Sequence, residues 1–109
     1  MALFGRGTTP YLSITVEGRD LTTAHVFVTI RQREKTLTKD GADVSCTYDS
    51  QEDTSELHVA YTQADTLGLA DGAAELQLRW IYADGTAEES EIASITIGRV
   101  LKGGVIVYA

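Results

Sequence analysis

The sequence predicts an all-β domain: an antiparallel two-sheet sandwich of the immunoglobulin-like kind. Three observations predict it. Apolar and polar residues alternate with a period of two in several short segments, and turn residues such as Asp-Gly separate them. Neither a long helical pattern nor a βαβ unit interrupts the series. The clearest segment runs from Ala74 to Gly85, where Leu76, Leu78 and Trp80 alternate with Gln77 and Arg79 before the Asp84-Gly85 turn. A strand with one dry face and one wet face gives this pattern, and Asp-Gly supplies the positive φ angles of a tight hairpin.

The remaining elements follow in order. Leu12, Ile14 and Val16 share a face of Tyr11–Glu17, and Gly18-Arg-Asp20 is turn material. Val26, Val28 and Ile30 are in register in His25–Arg31. Thr36–Lys39 reads as a short strand closed by an Asp40-Gly41 hairpin signal, and Val44–Tyr48 as the next strand. After the polar loop Asp49–Ser55, Leu57, Val59 and Tyr61 again face one way. Thr62 followed by Asp65 forms a capping-box pattern, which predicts one short helical turn near residues 63–68. Beyond the long strand, Glu88-Glu89 reads as a charged hairpin end, and Ile95 and Ile97 as the inward pair of a last strand. The sum is about seven short strands at intervals of roughly 8–14 residues, the spacing of a sandwich. A small barrel is the alternative.

At 109 residues the chain is expected to form a single domain over residues 1–109, with residues 1–9 an extended arm and residues 102–109 an apolar tail. A hydrophobic content of 43% and a mean hydropathy of -0.07 suit a globular protein. No apolar run approaches the roughly 20 residues of a membrane span. Ala2-Leu3-Phe4 is too short for the apolar region of a signal peptide. The lone cysteine, Cys46, rules out an internal disulfide and reads as a small buried hydrophobe. Net charge is -7, with Arg6, Arg19, Arg31, Arg33, Lys35 and Lys39 early and Arg79 the only base between residues 40 and 98. This balance disfavours nucleic acid, which needs a concentrated basic surface. It admits head-to-tail contacts between copies if the segregation survives folding.

No site chemistry is legible. His25 and His58 fall opposite their strands' apolar faces, and no zinc spacing or Gly-x-Ser-x-Gly elbow is present. The acids Asp40, Asp43, Asp49, Glu52, Asp53 and Glu56 are calcium candidates in type, but lack the EF-hand pattern. Glu88, Glu89 and Glu91 do not form a glycosidase pair, because neighbouring strand residues point to opposite faces. An enzyme is not expected, and no cofactor is implied. Trp80 and Tyr82 suggest a carbohydrate platform only if Trp80 is not core, and it shares a face with Leu76 and Leu78. The better interaction candidates are Tyr11, Phe27 and the tail residues Val105, Ile106, Val107 and Tyr108. After the Gly103-Gly104 hinge, that tail is suited to adding a strand to its own sheet or to that of a second copy.

With the strands placed, a resemblance emerges. Gly7-Thr-Thr-Pro10, Val28-Thr-Ile-Arg-Gln32, Leu57–Leu67, Leu76-Gln-Leu-Arg-Trp80, Asp84-Gly-Thr-Ala87, Ser90-Glu-Ile92 and Gly98-Arg-Val-Leu101 occur in the order seen in certain small phage proteins. The chain resembles this group, encoded among tail and baseplate genes of phages and prophages of Gram-positive hosts. Tyr61 stands where the group usually has Leu, Gly68-Leu69 where a charged residue and Phe are common, and the Val105–Ala109 end is unusually apolar. A more distant likeness is to the N-terminal domain of baseplate upper proteins, a β-sandwich that attaches receptor-binding parts to the tail. The resemblance implies a structural or assembly role through contacts with other phage structural proteins. It places the chain in the host cytoplasm during assembly and then in the virion. The other reading is a carbohydrate- or cell-surface-binding sandwich module.

Overall fold

The structure is a computed structural model that describes residues 2–108. Among the described residues nine strands form two sheets: β1 (Phe4–Gly5), β2 (Tyr11–Glu17), β3 (His25–Gln32), β4 (Lys35–Asp40), β5 (Val44–Asp49), β6 (Thr54–Ala60), β7 (Gly72–Ile81), β8 (Ala87–Glu89) and β9 (Ala93–Gly98). A 3-10 turn at Gly41–Asp43 and the single helix α1 (Gln63–Leu67) complete the elements. The large sheet has the order β1-β9-β7-β3-β4, with β8 also paired to β7; the small sheet has the order β2-β6-β5. The chain passes between sheets after β1, after β2, after β4 and after β6. This is the strand arrangement of an immunoglobulin-like sandwich.

Alternation in the sequence becomes the division between core and surface. Val26, Val28 and Ile30 of β3, Leu57 and Val59 of β6, and Ala74, Leu78 and Trp80 of β7 are buried between the sheets. Each such valine, leucine or isoleucine contributes roughly 1.5–3 kcal/mol by leaving water. Trp80 is 5% exposed, so it anchors the core as its alternation predicts. Leu21, on the β2–β3 crossover, is 1% exposed and outside any alternating run. Its N–H donates to Ser55 Oγ at 2.9 Å, and that buried hydroxyl donates to Arg19 O at 2.7 Å.

The capping box at Thr62 forms as read. Asp65 N–H donates to Thr62 Oγ1 and Thr62 N–H to Asp65 Oδ2, at 3.1 and 2.9 Å. These bonds satisfy donors that a short helix otherwise leaves open. The Asp84-Gly85 hairpin also forms, with Gly85 at φ 90° and Thr86 N–H donating to Asp84 Oδ1.

Several expectations need correction. Residues 2–9 are not an extended arm. Phe4 is buried and stacks on Tyr61 at 6.1 Å, β1 pairs in parallel with β9, and Arg6 donates to the carbonyls of Leu67 and Leu69. The close approach depends on Gly98, where a Cβ would lie 3.3 Å from Ala2 Cβ. Asp40-Gly41 closes no hairpin. It carries the chain from the large sheet to the small one, and the β3–β4 turn lies instead at Arg33-Glu34, with Arg33 at φ 58°. The described part of the tail, residues 102–108, joins neither sheet. Met1 and Ala109, at the ends of the expected arm and tail, lie outside the described residues.

Candidate functional site

The outward positions of the large sheet, together with Trp80, line a shallow hollow of about 420 Å³ formed by Phe27, Thr29, Thr38, Arg79, Trp80, Ile81 and Ala87. Pairing assembles it. Phe27 lies across from Arg79 on one side and from Asp40 on the other, and His25 lies across from Ile81. The His25 ring stacks on Phe27, centroids 4.6 Å apart, while His25 Nε2 and Asp40 Oδ2 are 2.9 Å apart. Ile81, the last residue of β7, is 40% exposed. Arg79 has no carboxylate within 4.0 Å among the described residues.

The rim of this face is fixed by Glu88, the inward member of the Glu88-Glu89 pair. Arg19 donates to both its oxygens, at 3.0 and 3.2 Å, and Trp80 Nε1–H and Tyr82 O–H each donate to Oε1 at 2.9 Å. The Arg19 hydrogen bonds, followed by those from Trp80 and Tyr82, push its carboxyl down to about 2. The charged hairpin end read from sequence is therefore a hub that ties β8 to the β2–β3 crossover. It also occupies the Tyr82 hydroxyl and leaves Trp80 in the core, so these aromatics form no exposed sugar platform.

The sequence-predicted interaction residues are not brought together. Tyr11 lies on the outer face of the small sheet, 64% exposed and stacked on His58 at 5.2 Å. Phe27 lies on the outer face of the large sheet. Val105, Ile106, Val107 and Tyr108 run past α1, where the Gln63 amide donates to Ile106 O at 2.9 Å and accepts from Ile106 N at 2.8 Å. Their side chains are exposed, Tyr108 fully, as is Leu101.

The sequence reading did not place Arg79, Asp40 and Ile81 beside Phe27, because that grouping depends on which strands pair. Their odd-even phase with Phe27 along each strand is visible; the neighbour across the ladder is not.

Folding brings two of the six early cations onto later acids. Arg19 pairs with Glu88 and Lys39 with Asp65 at 2.8 Å, so early cations neutralise later acids. Cys46 is half-buried, and burial pushes its thiol up. Among the described residues, no three His, Cys, Asp or Glu side chains are grouped to hold a metal ion. Asp49 instead accepts from Gln51 and Glu52 N–H, and Asp53 from Tyr48 O–H. No helix of the described residues is long and apolar enough to cross a membrane. No protein-family model matches the chain, and no curated protein matches it significantly in sequence.

Proposed function

We propose that this chain is a phage or prophage structural or assembly protein of the tail or baseplate region, working through protein–protein contacts. The observation that carries the reading is where its apolar surface lies. Leu101, Val105, Ile106, Val107 and Tyr108 stand in solvent, held through one side-chain amide rather than by packing. Exposed apolar clusters of this kind mark contact surfaces. The ordered motifs from Gly7-Thr-Thr-Pro10 to Gly98-Arg-Val-Leu101 supply the phage part of the proposal.

Mass spectrometry of tail particles from the phage that carries the gene tests the reading. The chain is expected in purified particles or their assembly intermediates, and its gene among tail-fibre, holin or lysin genes. Absence from both preparations, with the gene in a metabolic operon, contradicts it.

A further inference from the structure

We propose that the outer face of the large sheet is where two copies of this chain meet, about a two-fold axis running along β3 through Phe27. The pairing register carries the argument. Phe27 sits directly across from Arg79 on β7 and directly across from Asp40 on β4. Cation and anion therefore flank the ring at about one strand spacing, roughly 4.8 Å, on either side. A rotation of 180° about an axis along β3 turns one face onto another and exchanges its two flanks. It sets Phe27 on the second copy's Phe27 and each Arg79 opposite an Asp40, twice over by symmetry. Arg79 makes no salt bridge within its own chain among the described residues, its ladder neighbour Glu89 on β8 instead accepting from the Gln77 amide at 3.4 Å, and Asp40 keeps a side-chain exposure of 45% beside His25. Further along the axis the rotation sets Arg31 on the second copy's Arg31, a like-charge contact that Glu75, directly across from Arg31 on β7, offsets within each copy.

Charge also selects this face over the other. A chain of net charge -7 repels its own copies over most of its surface. The large sheet's outer face sets Arg31 and Arg79 against Asp40, Glu75 and Glu89, and adds the apolar surface of Phe27 and Ile81. The small sheet's strands carry Glu17, Asp49 and Glu56 and no Lys or Arg, so two copies meeting there oppose like charges. This proposal deepens the assembly reading and rests on its premise that the chain acts through protein contacts.

Sedimentation velocity of the full chain, from micromolar to sub-millimolar concentration, tests it. A monomer–dimer equilibrium is expected. Phe27→Glu, Arg79→Asp and Asp40→Arg should each weaken it by about tenfold or more. The double variant Arg79→Asp/Asp40→Arg should recover the dimer, which keeps the test decisive even if Phe27→Glu fails to fold. A strictly monomeric chain overturns the proposal. So does a dimer that ignores these substitutions and is lost with Val107→Asp in the tail. A monomeric chain still found in tail particles removes the two-fold and leaves the assembly reading standing. A Phe27-dependent dimer absent from particles and intermediates does the reverse.

Discussion

The outer face of the small sheet presents Tyr11, Ser13, Thr15 and Glu17 from β2, Glu56 and His58 from β6, and Ser45, Thr47 and Asp49 from β5. The outer face of the large sheet presents His25, Phe27, Thr29 and Arg31 from β3, Gln77, Arg79 and Ile81 from β7, and Thr38 and Asp40 from β4. Both faces belong to strands with the same period of two and back onto the same core. Their frames are equivalent; their exteriors are not. Apart from Tyr11, whose ring stacks on His58, the small face carries hydroxyls and acids that are well solvated and give a copy of the chain little to bind. The large face combines a ring, an exposed isoleucine and an unpaired guanidinium within one ladder. Alternation thus fixes which side chains point out, and only the identity of the outward set distinguishes a solvated face from a contact face.

The largest expected effect breaks that comparison directly. Phe27→Glu should weaken concentration-dependent association in light scattering by about tenfold or more, whereas Thr15→Glu, the same new charge on the small face, should leave it unchanged. Equal losses from both substitutions would erase the difference between the faces.

Next in size is Glu88, which holds the β8 rim of the large face and has no counterpart on the small one. Its folded carboxyl lies near 2, below its unfolded value. Its contribution is therefore complete above the ordinary carboxylate range and is lost as pH falls toward about 2. Thermal melts of Glu88→Gln should show a lower Tm at neutral pH and a shallower decline on acidification.

Tyr61→Phe acts between the sheets and should leave both faces alone. The Tyr61 hydroxyl is buried with no hydrogen-bond partner. Burial, reinforced by the Asp65 charge, pushes its pKa to about 12. An unfolded phenol ionises near 10, so native stability is lost as pH rises from about 10 to 12. The variant should gain about 1 kcal/mol in urea denaturation and lose that alkaline slope.

Arg33→Gly should have the smallest effect. It relieves a left-handed arginine at the far end of the β3–β4 hairpin, gaining about 0.5–1 kcal/mol with association unchanged. If either stabilising variant altered association, the dimer would depend on global stability rather than on one face.

Much of this architecture was legible. The alternation in Leu76–Trp80 gave β7 and its buried tryptophan, and Thr62 with Asp65 gave α1, because these signals are local. What failed was non-local. Phe4–Gly5 is too short to show a period, and becomes a strand only through β9 and the space above Gly98. Asp40-Gly41 has hairpin chemistry, but the next strand finds its partner in the other sheet. Glu88 looked like its neighbour Glu89 because the sequence does not show Arg19 arriving from another loop. Of the candidate site, the reading found Phe27 but not Arg79 or Asp40, since a ladder partner is set by register rather than by sequence proximity.

The central claim is that the two outer faces differ in kind, and amide chemical shifts followed across protein concentration test it most directly. The account predicts concentration-dependent shifts at Phe27, Thr29, Thr38, Asp40, Arg79 and Ile81, with Ser13, Thr15, Thr47 and Glu56 unmoved. Shifts confined to the small sheet or to Val105–Tyr108, or no shifts at any concentration, would contradict it.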